Sequence, residues 1–336
     1  MEILKNFNLK DYNTFNLEVC ADYFAEAEII DDLHEIRAFI KNNKTNYYIL
    51  GGGSNILFKQ DFKGLIFRYI KDDIRIIDED NEIVYIEVSA GTNWDKFVEF
   101  CVNKNYFGAE NLSLIPGNVG ASPIQNIGAY GVELQDFFYK LEFFNFETGR
   151  LEYYLREECK FGYRTSKFKY DLKNKGIITK VTFKLSKIRK FNLTYKALEN
   201  YLQGMKEFDL IDVRKAVINI RESKIPDYKK YGNAGSFFKN PEVDKDKFKE
   251  LIEKYSDLVY FTVNENKYKL SAGWIIEKCG FKGKRIDDVG CYEKQALILV
   301  NYGKAKGSEI VSFSEKIKKT VLSKFSIELE TEVNII

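Results

Sequence analysis

IPGNVGASPIQNIGAYG, running from Ile115 to Gly131, is the stretch that decides how this chain folds. Four glycines and two prolines fall within its seventeen residues. Glycine weakens a helix through backbone entropy, and proline removes a donor from helix or sheet, so neither element can run through. Loops this long inside a folded chain are usually functional. Ile115, Ile124 and Ile127 stand among amide and hydroxyl side chains, which gives the loop an apolar side as well as a polar one. It reads as a ligand-wrapping loop, the alternative being a long surface loop.

Working upstream, NYYIL before Gly51 reads as a buried strand that runs directly into Gly51-Gly52-Gly53-Ser54-Asn55. A residue without Cβ lets backbone N–H groups ring an anion, so this turn could hold a cofactor pyrophosphate; an ordinary tight turn would use similar residues. GxGxxG and GxxxxGK[ST] are both absent, so neither the Rossmann nor the P-loop pattern is met. A helix is expected near Asp31 to Lys41, strands near Ile74 to Asp78 and Ile83 to Ser89, and then a helix with Trp94, Phe97, Val98, Cys101 and Val102 on one buried face. Downstream, LEFFNFETGRLEYY reads as a hairpin about Thr148-Gly149, and a further strand is expected at Ile177 to Leu185.

From Asp212 the pattern turns helical: DVRKAVINIRESK, DKDKFKELIEKYSD and SAGWIIEKCG, the last ended by Gly280. The run ALILVN reads as a strand before a final amphipathic helix from Ser308, with Ile310, Phe313, Ile317, Val321 and Phe325 on one face. A third glycine segment, Gly232-Asn233-Ala234-Gly235-Ser236, leads into Phe237 and Phe238; taken alone, Ser236 reads as a helix cap or turn residue. A domain boundary is expected near residue 223.

Composition narrows the chemistry. The 336 residues suit two or three domains, and 45% hydrophobic with 30% charged residues suits a folded globular chain. A net charge of +2 offers no broad field for nucleic acid or anionic membrane. The single histidine, His34, lies in a pattern that reads as the polar face of a helix, which argues against a histidine-based triad or a histidine-rich metal site. Cys20, Cys101, Cys159, Cys279 and Cys291 form no CxxC pair and read as reduced thiols; no metal site is expected. The N-terminal MEILKNFNLKD lacks a signal-peptide core, no apolar run nears the roughly 18 residues of a membrane span, and a cytoplasmic location is expected.

Taken together the segments resemble the UDP-N-acetylenolpyruvoylglucosamine reductase (UDP-N-acetylmuramate dehydrogenase) family. The markers occur in family order: NTF at Asn13 to Phe15, LGGGSN, IPGNVGASPIQNIGAYGVEL, FGYRTSKFK, GNAGSFFKNP, SAGWIIEKCGFKG and LETEV. SPIQNIGAYG and LTY at Leu193 to Tyr195 resemble the subclass in which a mobile tyrosine loop closes over substrate. The resemblance implies an α+β chain: a vanillyl-alcohol-oxidase-type FAD-binding fold of two α/β subdomains, 1–70 joined by 328–336 and 71–222, plus an α+β substrate domain at 223–327. It implies noncovalent FAD held by Gly51, Gly52, Gly53, Ser54, Asn55, Pro116, Gly117, Val119, Gly120, Ala121, Ser122, Gln125, Asn126, Gly128, Ala129 and Tyr130. NADPH would be the hydride donor. Ser236 would be the proton donor, completed by Arg164 and Glu332, and Tyr195, Lys224, Asn240, Lys282 and Gln295 would contact the UDP-sugar. The partner is a small molecule, UDP-N-acetylglucosamine enolpyruvate, with no nucleic acid or membrane, and a monomer is expected.

The residues suit the implied chemistry. Reducing an enolpyruvyl ether needs a hydride at the methylene and a proton at the neighbouring carbon, which also bears the carboxylate. A guanidinium matches that carboxylate with paired hydrogen bonds, which is a role for Arg164. With His34 unsuited, Ser236 is the candidate acid. An ionised Glu332 would repel the growing charge, so it is expected to be protonated or hydrogen-bonded through a neighbour during the step. Two alternatives remain at this level: an FAD oxidase of the vanillyl-alcohol type, and a flavin-free UDP-sugar binding protein. Covalent flavin in such oxidases commonly uses a histidine or cysteine tether, and the glycine loops contain neither.

Overall fold

The computed structural model describes all 336 residues, which divide into two compact units: Met1–Phe7 with Cys20–Gly53 and Phe62–Glu222, and Asn8–Val19 with Ser54–Asp61 and Ser223–Ile336. The first unit is built on two sheets. One has the strand order Ile3–Asn8, Cys20–Ala27, Phe62–Tyr69, Tyr47–Ile49, in which Phe62–Tyr69 pairs parallel with both its neighbours. Helix Ile30–Asn43 buries Leu33 and Ile36 in the same core, and its exposed face carries His34, edge-on to Phe144 at 4.9 Å. NYYIL, expected as a buried strand, supplies only Tyr47–Ile49 and is half-buried, because it forms the sheet edge and pairs on one side alone.

The second sheet is antiparallel throughout, in the order Arg150–Leu155, Phe138–Asn145, Gly176–Ser186, Ile83–Ser89, Ile74–Glu79. Its first two strands are the expected hairpin, with Gly149 at φ 72° in the turn. Helix Trp94–Asn103 lays Trp94, Phe97, Val98, Cys101 and Val102 on this sheet, all fully or nearly fully buried. Phe97 stacks on Phe183 at 4.4 Å between ring centres. Burial pushes the Cys101 thiol far above its ordinary range, as suits an inert packing residue.

A smaller core forms beside it. Leu198 and Leu202 of helix Lys196–Leu202 pack against Val213, Ala216, Val217 and Ile220 of helix Leu210–Lys224. Arg214 ties this pair of helices to the main core with a fork onto Asp95, Nη1 to Oδ1 at 2.6 Å and Nη2 to Oδ2 at 2.9 Å; the Leu114 amide also donates to Asp95. Burial works to raise the Asp95 carboxyl, but the Arg214 and Leu114 bonds outweigh it and hold the group below its ordinary value. A depressed carboxylate stabilises the fold above its unfolded pKa, and that contribution is lost as pH falls through the lower folded value. Asp95→Asn should therefore cost about 1–2 kcal/mol, a charged hydrogen-bond pair discounted for partial exposure. Thermal unfolding of both proteins checks it: the gap should hold from pH 7 down to about 4 and shrink below that. A gap independent of pH would contradict the assignment.

In the second unit, sheets ordered Glu242–Asp244, Lys267–Leu270, Tyr260–Asn264 and Arg285–Ile286, Val289–Cys291, Leu299–Asn301 are accompanied by helices Lys245–Lys254, Ala272–Lys278 and Gly307–Phe325. The last helix buries Ile310, Phe313, Ile317, Val321 and Phe325, the face expected from its spacing. ALILVN is strand only over Leu299–Asn301, because a turn from Gln295 to Ile298 occupies its first half. At the C-terminus Asn334–Ile335 pairs parallel with Ile56–Leu57. No helix is long and apolar enough to cross a membrane, and no cluster of His, Cys, Asp and Glu could hold a metal ion.

Candidate active site

In the first unit the two glycine loops meet. A Cβ on Gly52 would stand 2.7 Å from Gly117 Cα, a separation at which one backbone must give way. A Cβ on Gly120 would stand 2.5 Å from that of Ala90. The long loop is bound to the turn before helix Trp94–Asn103: Gly120 donates to Ala90, Val119 to Thr92, and Trp94 to the Gly117 carbonyl. Asn118 Nδ2 donates to the Gly91 carbonyl at 3.0 Å. The amides of Gly51, Gly52 and Gly117 donate to no backbone carbonyl, so two close, unbulky loops keep backbone donors in reserve. Such a nest suits a pyrophosphate, and the residues present fit FAD. Gly51–Gly53 and Pro116–Tyr130 are thus brought together, whereas Ser54 and Asn55 fall in the second unit.

Not every expected cofactor residue offers its side chain. Asn126, fully buried, donates to Glu133 Oε2 and the Gly162 carbonyl and accepts from the Gln135 amide. Ser122 Oγ donates to the Val119 carbonyl at 2.6 Å. Both side chains brace the loop through these bonds. Gly52→Ala tests the nest: overpacking at backbone contact typically costs about 1–3 kcal/mol, roughly 5- to 150-fold if it falls on flavin affinity. The flavin-to-protein absorbance ratio after desalting should fall accordingly; full flavin retention would contradict a cofactor role for this contact.

Arg164 stands in the same unit with φ 53°, a conformation uncommon for a side chain of its size. Its Nη2 donates to the Gly128 carbonyl at 2.8 Å, and Ser166 Oγ donates to Ile124. The GYRTS segment is thereby fastened to the far end of the glycine loop. Tyr195 lies at the start of helix Lys196–Leu202, edge-on to Tyr130 with ring centres 5.0 Å apart. Burial pushes the Tyr130 phenol up, opposed by the adjacent Arg221 guanidinium.

In the second unit Ser236 follows Gly235, at φ 69°, and stands in extended backbone bridged to Ile298, with no helix for it to cap. Phe237 and Phe238, both fully buried, anchor the segment. On one side the Phe237 amide donates to the Leu297 carbonyl, and on the other the Glu332 amide donates to the Phe237 carbonyl at 2.8 Å. Ser236 and Glu332 therefore lie on neighbouring extended segments, with Gln295 two residues before Leu297. The Ser236 side chain is exposed. Asn240 Oδ1 accepts from the Ala272 amide at the start of helix Ala272–Lys278, and a Cβ on Gly273 would meet Gln295 Oε1 at 2.6 Å, so Asn240 and Gln295 converge there. Lys282 instead pairs with Glu277 at 3.0 Å on the surface, and Lys224 is exposed at the end of helix Leu210–Lys224. Asn55 accepts from the Asn334 amide and donates to the Glu332 carbonyl, which links its turn to the C-terminal segment.

Residues that motif reading passed over also belong to this architecture. Buried Asn111 and half-buried Arg221 lie beside Tyr130, visible only once packing is known.

Comparison with known proteins agrees with this geometry. An FAD binding domain model matches residues 21–152, and a model described as UDP-N-acetylenolpyruvoylglucosamine reductase, C-terminal domain, matches 227–336. A UDP-N-acetylenolpyruvoylglucosamine reductase from Flavobacterium johnsoniae is 45% identical over 100% of both chains. One from Bacteroides fragilis is 39% identical over 99% of each. The crystal structure of the Thermus caldophilus reductase of that name aligns with TM-score 0.69 and 22% identity, covering 99% of this chain and 98% of its own, and so shares the fold. The fold is the expected α+β arrangement with an FAD-binding domain.

Proposed function

This chain belongs to the UDP-N-acetylenolpyruvoylglucosamine reductase family, and from that premise we propose how its own residues carry the reaction. The protein is an FAD-dependent enzyme that uses NADPH to reduce UDP-N-acetylglucosamine enolpyruvate to UDP-N-acetylmuramate in peptidoglycan precursor synthesis. When bound and reduced by NADPH, FAD would supply the hydride for the enolpyruvyl methylene. Arg164 grips the substrate carboxylate and stabilises negative charge as it grows on that end of the molecule. Ser236 delivers the proton to the carbon bearing the carboxylate, with Glu332 completing the set. Tyr195, Lys224, Asn240, Lys282 and Gln295 hold the uridine diphosphate and sugar, and Tyr195 closes over them. The loops of Gly51–Asn55 and Pro116–Tyr130 hold the cofactor pyrophosphate through backbone amides.

The observation that carries this reading is the bond from Arg164 to the Gly128 carbonyl, because it fixes the candidate carboxylate-binding guanidinium to the flavin loop itself. We assign the flavin-binding halves to 1–70 with 328–336 and to 71–222, and the substrate domain to 223–327; residues 8–19, 54–61 and 328–336 are the parts of this division that cluster instead with the C-terminal unit. Separate parallel-paired and antiparallel sheets in the first two support that division. The enzyme works as a cytoplasmic monomer on a small molecule. Steady-state assay tests the reading: NADPH oxidation should depend on the enolpyruvyl sugar and yield a product heavier by two hydrogens. NADPH oxidation that depends on oxygen alone, leaving the sugar unchanged, would contradict it.

A further inference from the structure

The segment that bears Tyr195 packs into the small core of helices Lys196–Leu202 and Leu210–Lys224, which borders the large core under the five-stranded sheet at Phe191 and Leu210. Small satellite cores open more readily than the main one, so the position of Tyr195 depends on what fastens its segment to the flavin loop. Asn111 is that fastening. Its side chain is wholly buried, and its amide nitrogen donates at 2.8 Å to the Tyr130 carbonyl and at 2.8 Å to the Asn192 carbonyl. One side chain thus spends both amide hydrogens on two loops, the farther of them 81 residues along the chain.

Three further contacts lie along the same seam. Asn192 Nδ2 donates to the Gly131 carbonyl at 2.9 Å, while its Oδ1 accepts from the Thr194 amide and hydroxyl. Gly131, at φ 85°, leaves no room for a side chain, since a Cβ would stand 2.6 Å from Thr194 Oγ1. The Arg221 guanidinium lies beside Tyr130, whose ring is edge-on to that of Tyr195. Asn111 Oδ1 has no partner, an arrangement that costs stability; the side chain is oriented for its two donors and not for its own best satisfaction.

We propose that Asn111 is a positioning residue which couples the flavin loop, through the Tyr130 carbonyl, to the substrate-capping segment at Asn192–Tyr195. This rests on the assignment of Tyr195 to substrate. Asn111 acts by holding Tyr195 against Tyr130, so its loss frees the capping segment while leaving the Gly52–Gly117 nest intact.

The test uses the flavin-loaded enzyme. Asn111→Leu should accelerate amide hydrogen exchange in a peptide spanning 190–196 and raise KM for the enolpyruvyl sugar about tenfold or more, as the loss of two buried hydrogen bonds predicts. Flavin content and the rate of flavin reduction by NADPH should stay at parent values, and a merely structural role would move those as well. In a Tyr195→Phe background the KM effect of Asn111→Leu should largely vanish, because both changes act on one contact. If Asn111→Leu does not fold, Asn111→Ser, too short to reach both carbonyls, is measured in its place. Unchanged exchange at 190–196 overturns the proposal, as does faster exchange with unchanged KM while Tyr195→Phe alone raises it. If Tyr195→Phe alone leaves KM unchanged, the assignment of Tyr195 fails, and exchange by itself decides whether Asn111 is the tie.

Discussion

Ser236→Ala should reduce its flavin with NADPH at the parent rate and then fail to pass the electrons on, with reoxidation by the enolpyruvyl sugar slowed about 10²- to 10⁴-fold. That is the range of general acid catalysis by a positioned side chain. Gly235 turns the chain in a conformation open mainly to glycine, and the buried Phe237 and Phe238 pin the strand on the other side, so Ser236 is held by its neighbours and not by its own side chain. Removing one exposed Oγ should therefore leave stability within about 0.5 kcal/mol of the parent. Stopped-flow absorbance separates the two half-reactions. An equal loss in flavin reduction would count against the proton-donor role, since NADPH oxidation needs no proton from Ser236.

Arg164→Lys should be nearly as damaging, slowing reoxidation about 10²- to 10³-fold, the usual effect of deleting a donor aimed at developing negative charge. A lysine keeps the charge but loses the planar fork that meets a carboxylate with two parallel bonds. It also has to choose between the substrate and the Gly128 carbonyl, which Arg164 Nη2 already occupies at 2.8 Å. Flavin content should be unaffected, because the amides of the glycine nest lie on other residues. Single-turnover reoxidation checks this, and a slowing of less than about threefold would remove Arg164 from the reacting centre.

How much was legible in the sequence depends on the physical content of each signal. The glycine loops could be read because close backbone approach excludes any side chain, as at Gly52 against Gly117. The helix bearing Trp94, Phe97, Val98, Cys101 and Val102 could be read because apolar spacing records one buried face. The hairpin turn at Thr148-Gly149 could be read because Gly149 must adopt positive φ. The edge position of Tyr47–Ile49 could not, since periodicity reports burial and not which strand lies outermost. Nor could the grouping of Asn8–Val19 with the C-terminal unit, which depends on bonds such as Asn301 Nδ2 to the Phe15 carbonyl across 286 residues.

The site divides in the same way. Motifs pointed to Ser236, Arg164 and the glycine runs, where residue type is dictated by chemistry or by space. Asn111 gave no signal, because a buried polar residue looks like any solvated one until its carbonyl partners are in place. Lys282, by contrast, matched a motif yet pairs with Glu277 on the surface, so any role on substrate requires it to leave that partner.

The central claim is that one flavin passes hydride from a nicotinamide to an enolpyruvyl sugar, and an anaerobic absorbance titration reaches it most directly. NADPH is added to the purified protein first and UDP-N-acetylglucosamine enolpyruvate second, while the oxidised flavin band is followed. NADPH should bleach the band and the sugar should restore it in full. Bleaching that the sugar fails to reverse, or a protein that carries no flavin band at all, would contradict the central claim.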